Sequence, residues 1–153
     1  MRNTIISLAV FMIITSIAQA NKVERTVEHE LTRDGSHVKV EIKVGSPIAT
    51  NNRYTFIWGA HNFQPSKQVR SIKIVVNNKV IPVPFSAYSD LTQYSRSSLE
   101  FNGSVYVLKI QGGDASTSYD AEIYFLEDVK NRKVFDGEFP EYIWEETIYH
   151  RDT

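Results

Sequence analysis

The chain has 153 residues and no cysteine, and its 17 Lys and Arg residues against 18 Asp and Glu residues give a formal net charge of −1. Without cysteine, disulfides, thiolate metal sites and cysteine nucleophiles are excluded. The two signs of charge alternate along the chain without a basic block, which disfavours nucleic-acid binding and electrostatic attachment to a membrane surface.

Residues 1–20 have the pattern of a secretory signal peptide, with cleavage expected before Asn21. Arg2 precedes an apolar run over residues 5–14, and Ala18-Gln19-Ala20 forms a small-x-small cleavage site. The alternative is an uncleaved membrane anchor, but the run is shorter than the ~20 residues that span a bilayer. We therefore expect a soluble exported protein, periplasmic or extracellular, with one domain over residues 21–153 and no stable membrane insertion after cleavage.

The first element predicted after the signal is a β-hairpin. Apolar and polar residues alternate over residues 37–44, as they do over residues 22–31, and Asp34-Gly35 between them is a two-residue turn signal. In a tight hairpin the numbers of paired residues then sum to 69. The predicted pairs are Leu31 with Val38, Val27 with Ile42, and Glu30 with Lys39.

Further short strands follow along the chain at 53–58, 71–76, 79–83, 98–101, 104–111, 119–127, 132–139 and 143–150. Asn77-Asn78 and Asn102-Gly103 are predicted hairpin turns, and Pro82 and Pro84 mark the strand at 79–83 as an edge strand or one that soon ends. Only residues 85–95 look helical, for a turn or two near 86–92 behind a Ser86 cap. This inventory predicts an all-β domain, a single antiparallel β-sandwich or partly closed barrel of about eight or nine strands.

The glycine-rich segment 112–120 is open to four interpretations: a calcium loop, a phosphate loop, a plain turn and a ligand-contacting loop. Asp114, Ser116, Ser118 and Asp120 offer oxygens at every second position, but the glycine and glutamate of a helix-loop-helix calcium site are absent. A phosphate loop would need a Gly-Lys-Ser/Thr ending and a following helix, and the segment has neither feature in its sequence. The favoured interpretation is a turn between two strands, in which Gly112 and Gly113 supply positive φ, with a ligand-contacting loop as the alternative.

The histidines do not cluster, and no metal site or cofactor is predicted. His29 falls on the inward face of the first hairpin and His37 on the outward face, so they cannot share a metal in that register. A half-buried imidazole with a hydrogen bond is the expected role of His29. His61, in a Gly/Pro loop near Trp58, is the one histidine placed like a site residue, although an ordinary surface loop residue is the favoured interpretation.

No nucleophile motif is present, and we predict no catalytic residue. A hydrolase remains the least favoured alternative, and it would need a pocket that brings His61 or His150 within hydrogen-bond reach of Asp114 or Asp90.

Residues 135–150 combine five aromatic side chains with five carboxylates. Such a mixture suits the binding of sugars or cationic peptides, although aromatic residues are also ordinary strand residues. Asn102-Gly103-Ser104 is in addition an N-x-S glycosylation sequon at a hairpin tip.

The motifs "IPVPFSAYSDL", "GGDASTSY" and "WEETIY" carry a resemblance to a group of small exported bacterial proteins of unknown function. The resemblance covers about residues 69–150 and follows the pattern I-P-V-P-x-S-A-Y-x-D-L, GGD…SY and W-E-x-T-x-Y. It implies an envelope location and one compact domain, and it implies no activity. The matching positions to examine are Tyr88, Asp90, Gly112, Gly113, Asp114 and Tyr119.

Three functions are therefore weighed. The first is a non-catalytic module that binds an envelope protein or peptide through a sheet edge or a loop end. The second is a binder of small ligands or glycans that uses Trp58, Tyr142 and Trp144. The third is the hydrolase described above.

Overall fold

The computed structural model describes residues 23–47, 57–60 and 66–150 of the chain. The signal peptide predicted at 1–20 and most of the strand predicted at 53–58 lie outside these residues. Within the described ranges there are nine strands: β1 Val23–Arg33, β2 Ser36–Gly45, β3 Gln68–Val76, β4 Lys79–Ile81, β5 Tyr94–Phe101, β6 Tyr106–Gly112, β7 Tyr119–Phe125, β8 Val129–Asp136 and β9 Ile143–Ile148.

The strands form two antiparallel sheets, each of which is a simple meander. One sheet has the order β1-β2-β3-β4 and the other has the order β5-β6-β7-β8-β9. Apolar residues from both sheets share one core cluster, in which the inner-face residues of β2, β6 and β7 are almost completely buried. The predicted all-β class is confirmed, and the arrangement is that of a β-sandwich.

The first hairpin is confirmed in register as well as in position. Leu31 pairs with Val38, Val27 with Ile42, and Glu30 with Lys39. Asp34 and Gly35 adopt φ values of +50° and +78°, as the turn requires. On the outer face the Lys39 ammonium lies 3.2 Å from Glu28 and 3.4 Å from Glu30.

The other two predicted hairpins also form. Asn77 and Asn78 have φ values of +49° and +66°, and β4 ends at Ile81, directly before Pro82. The loop at Asn102-Gly103 is longer than the two residues expected, because Phe101 pairs with Tyr106. Asn102 Oδ1 accepts hydrogen bonds from the N–H groups of Ser104 and Val105, which stabilises a four-residue loop instead.

The helical turn predicted at 86–92 is shorter and starts earlier. It is a 3-10 turn over Phe85–Ala87 that follows Pro84, and Ser86 lies inside it rather than at its cap. Pro84 supplies the fixed φ at the entry, so no side-chain cap is needed. Beyond it the chain runs on to two isolated bridges, Trp58 with Leu91 and Gln68 with Thr92.

Different contacts close the two sides of the sandwich. On one side β1 lies against β5, where His29 Nε2 and Ser97 Oγ are 2.7 Å apart and the Arg33 guanidinium lies over the Phe101 ring at 4.8 Å. His29 is therefore half-buried and hydrogen-bonded, as predicted, and burial lowers its pKa. On the other side the segment 84–92 lies against β8, through contacts described below.

None of the residues that the structure describes forms a long apolar helix of the kind that spans a membrane.

Candidate functional site

A buried ion cluster joins the segment 84–92 to the second sheet. Arg132 on β8 shares the inward face with Val134, and only 1% of its side chain is exposed. Its two terminal nitrogens donate to the two carboxylate oxygens of Asp90 at 2.7 and 2.8 Å, and Nη1 also donates to the Ser86 carbonyl at 2.7 Å. Glu145 on β9 lies 3.4 Å from Nη2. The guanidinium thus links three parts of the chain.

Burial and the Asp90–Arg132 pairing both shift the pKa values of this cluster. Burial raises the pKa of Asp90, and the opposing effect of the Arg132 guanidinium does not cancel it. For Arg132 burial lowers the pKa, but the hydrogen bonds and charge of Asp90 outweigh it, so its pKa is raised. Tyr149, beside the same groups, has a pKa raised by burial. A carboxylate already engaged by a bidentate arginine is poorly placed to act as a general base.

The two tryptophans of the chain meet next to this cluster. The Trp58 backbone N–H donates to the Asp90 carbonyl at 2.8 Å, and Thr92 N–H donates to the Trp58 carbonyl at 3.1 Å. On β9 a bulge leaves Trp144 without a residue opposite it, between the pairs that Glu145 and Ile143 make with β8. The two indole rings stack with centroids 5.3 Å apart and planes 8° from parallel.

The glycine-rich segment is a turn that encloses a buried tyrosine. Tyr119 Oη donates to the Thr92 carbonyl at 2.9 Å, and burial raises the pKa of this phenol. Gly113 has the expected positive φ, +82°, but Gly112 does not. Glycine is required at position 112 for a different reason, because a Cβ there would lie 2.5 Å from Tyr119 Oη. The Thr117 hydroxyl closes the loop by donating to the Asp114 carbonyl at 2.8 Å. The turn interpretation is thereby supported.

Asp114 and Ser116 are exposed at the surface of this loop. The neighbouring β8–β9 loop contacts it, since the Gly137 N–H donates to the Ser118 carbonyl at 3.0 Å and a Cβ on Gly137 would lie 2.6 Å from Ser118. Asp136 Oδ1 stabilises the β8–β9 loop by accepting hydrogen bonds from the backbone N–H groups of Glu138 at 2.8 Å and Phe139 at 3.0 Å. The two loops form one end of the sheet.

From this loop an apolar and acidic surface continues along β9, and we call residues 136–149 the acidic-aromatic edge. Five of the seven large hydrophobic side chains that are exposed in the described ranges belong to it: Phe139, Tyr142, Ile143, Trp144 and Ile148. It carries five carboxylates, those of Asp136, Glu138, Glu141, Glu145 and Glu146, and no Lys or Arg. The signal for this surface, aromatic residues mixed with acids, was visible in the sequence.

The structure brings four of the predicted site residues together and separates the others. Asp90, Tyr119, Trp58 and Trp144 converge around the ion cluster. Tyr88 is half-buried and packs edge-on against Phe85, with ring centroids 5.6 Å apart. His61 lies outside the described residues.

Arg132 is the member that the sequence analysis missed. Its position two residues before Val134 on a strand was the available signal, since alternation places both on one face.

The alternatives that require a metal or a catalytic pocket gain no support from the described residues. Within them no group of three His, Asp or Glu side chains is arranged to hold a metal ion. A groove of about 530 Å³ lies among four hairpin turns at the opposite end from Gly113, and one of about 470 Å³ lies on the outer face of the second sheet; neither is lined by histidine.

Comparison with known proteins gives no further information: no family model, no curated protein and no solved structure matches the chain.

Proposed function

We propose that this protein is a non-catalytic binding module, exported as the sequence predicts, and that the acidic-aromatic edge is where it engages a protein or peptide partner. The observation that carries the proposal is the concentration of exposed apolar side chains on the edge strand β9 and the loop that leads into it. Ile148 is 62% exposed and Tyr142 is 60% exposed. Contiguous apolar surface of this kind marks interaction sites, and a strand edge offers backbone groups for pairing.

The edge strands of the two sheets differ in how available they are for pairing with a further strand. β1 and β5 face each other, and β4 has three residues and is followed by Pro82 and Pro84, which cannot donate to a ladder. In the described part of the chain β9 is paired on one side only, with β8. It is therefore the edge best suited to strand addition.

The ion cluster supports this edge rather than performing chemistry. Arg132 holds Asp90 and Glu145 at once, so it fixes β8 and β9 relative to the segment 84–92. The stacked tryptophans add an apolar contact at the start of β9. A binding edge held rigidly before its partner arrives loses less conformational entropy on binding.

Two variants at one exposed position test the proposal. The Tyr149 N–H donates to the Lys130 carbonyl of the neighbouring chain segment at 2.9 Å, and backbone N–H groups along a strand point alternately to its two sides. The N–H groups of Glu146 and Ile148 therefore point away from β8, to the unpaired side of β9. Ile148→Pro removes an outward donor without breaking the inner ladder, whereas Ile148→Ala removes only the side chain.

Residues 21–153 of each variant would be used as bait for extracts of the cell envelope, with mass spectrometry as the readout. We expect wild type to retain a partner that Ile148→Pro loses and Ile148→Ala retains in part. A partner that all three retain equally, or none in any salt condition, would contradict the proposal.

The second candidate, a glycan or small-ligand binder, is favoured by one observation. Tyr142 and Trp144 are exposed beside carboxylates, but Trp58 stacks on Trp144 and so cannot offer that ring face to a ligand. A glycan panel read by intrinsic tryptophan fluorescence tests it, and an unchanged spectrum with every glycan would exclude a site at these rings.

A further inference from the structure

The charge of the acidic-aromatic edge specifies the kind of partner strand that it fits. This step rests on the proposed function, because it takes β9 as the docking edge. Glu145 is paired with Arg132 and Glu146 with Lys133, at 3.4 and 3.5 Å. Glu138 and Glu141 are exposed and have no ion-pair partner among the described residues. The surface is therefore left with an excess of negative charge.

The neighbouring loop adds to this excess. Asp114 is exposed, and its loop contacts the β8–β9 loop through Ser118 and Gly137. The charge thus extends from β9 round the end of the sheet.

The side chains of β9 alternate in the same way as its backbone groups. Glu145 and Thr147 face inward, where the Thr147 hydroxyl donates to Glu145 at 3.0 Å, whereas Glu146 and Ile148 are exposed on the outer face. A strand added at this edge would place one residue opposite Glu146 and another, two positions away, opposite Ile148. Complementarity requires Lys or Arg at the first position and an apolar residue at the second.

From this geometry we infer that the partner contributes an extended segment in which basic and apolar residues alternate along one face. Such a strand adds to β9 in the antiparallel sense, like every strand pair in the two sheets. Its Lys or Arg side chains meet Glu146 and the unpaired carboxylates of the β8–β9 loop. A second copy of this chain is a poor occupant, because residues 136–149 contain no Lys or Arg, and two such edges would bring together the unpaired carboxylates of Glu138 and Glu141 from both copies.

Synthetic nine-residue peptides provide the test. KTVTKTVTK places lysine and valine alternately on one face, and ETVTETVTE is its acidic counterpart. Neither contains tryptophan, so the fluorescence of Trp144 and Trp58, the two tryptophans of the chain, reports binding directly. We expect the lysine peptide to bind at least about tenfold more tightly than the glutamate peptide, and to weaken between roughly 20 mM and 0.5 M salt.

Matched variants separate charge from strand addition. Glu146→Lys should reduce the preference for the lysine peptide or reverse it, because the exposed side chain opposite the central residue changes sign. A lysine peptide N-methylated at its central residue should lose binding to wild type, since that residue would donate to β9. This peptide serves the same purpose as Ile148→Pro without requiring a protein variant to fold.

Each outcome bears on the inference. Equal binding of the two peptides would overturn the charge preference while leaving β9 as a strand-binding edge. Binding of the lysine peptide that survives N-methylation would overturn strand addition. If neither peptide binds, the inference fails, and the proposed function is then judged by the bait experiment alone. Dimers of the protein at micromolar concentration would show instead that a second copy occupies the edge.

Discussion

Removal of the Asp90 carboxylate tests whether the ion cluster holds the segment 84–92 against the second sheet. Asp90→Ala leaves the guanidinium of Arg132, which is 1% exposed, without its bidentate partner. Removing one member of a buried ion pair costs about 3–5 kcal/mol, because the remaining charge stays desolvated. The Ser86 carbonyl at 2.7 Å and Glu145 at 3.4 Å remain, so we expect the lower limit, about 3 kcal/mol. For a domain of this size that lowers Tm by roughly 10 °C.

The assay is urea unfolding followed by circular dichroism, with the m value required to stay constant. The double variant Asp90→Ala, Arg132→Met should recover most of the loss, because the unpaired buried charge is gone. Glu145→Gln should cost about 1 kcal/mol or less, since that side chain is 36% exposed and its contact is longer. A loss below about 1 kcal/mol for Asp90→Ala, or a double variant no more stable than the single one, would refute this account of the cluster.

Three further predictions concern the turn and the titration of the cluster. Tyr119→Phe should lower the free energy of unfolding by about 1–2 kcal/mol, because the buried Thr92 carbonyl loses its donor; an unchanged urea midpoint would contradict this. Gly113→Ala should cost at least about 2 kcal/mol more than Gly35→Ala in the same assay, since both have positive φ but only at Gly113 would the Cβ meet backbone, at 2.1 Å. Burial raises the pKa of Asp90 in the folded state above its ordinary value of 3.8, so the folded state binds the proton more tightly than the unfolded state does. The free energy of unfolding of wild type, relative to that of Asp90→Asn, should therefore fall as pH rises from 3.8 through the folded-state pKa; a rise would show that the pKa is depressed.

The features that the sequence predicted well are those set by local patterns. The first hairpin followed from alternation together with Asp34-Gly35, and the register followed by arithmetic, because a one-residue slip would turn Val38 and Ile42 towards solvent. The hairpin at Asn77-Asn78 followed in the same way. Where a side chain changed a turn, as Asn102 does by accepting two backbone hydrogen bonds, the loop length was wrong.

The candidate site was predicted as a set of residues but not as an arrangement. Arg132 and Asp90 are 42 positions apart, and no local period relates them. Trp58 and Trp144 are 86 positions apart in the sequence, and their contact depends on a bulge in β9 that no turn residue indicates. Long-range pairs of this kind depend on how the two sheets pack, and local patterns in a single sequence do not reveal that packing.

Residues 144–149 divide into a supporting set and an exposed set. The supporting set is Trp144, Glu145, Thr147 and Tyr149, which stack on Trp58, pair with Arg132 or pack inward towards the core. The exposed set is Glu146 and Ile148, the two side chains beside the backbone groups that point away from β8.

In the proposed function the supporting set holds the edge in place, and the exposed set faces the partner strand. The charge of the strand that is accepted then depends on the exposed set alone. The Glu146→Lys exchange should accordingly change which peptide binds without changing the urea midpoint by more than a few tenths of a molar, since it alters one exposed side chain.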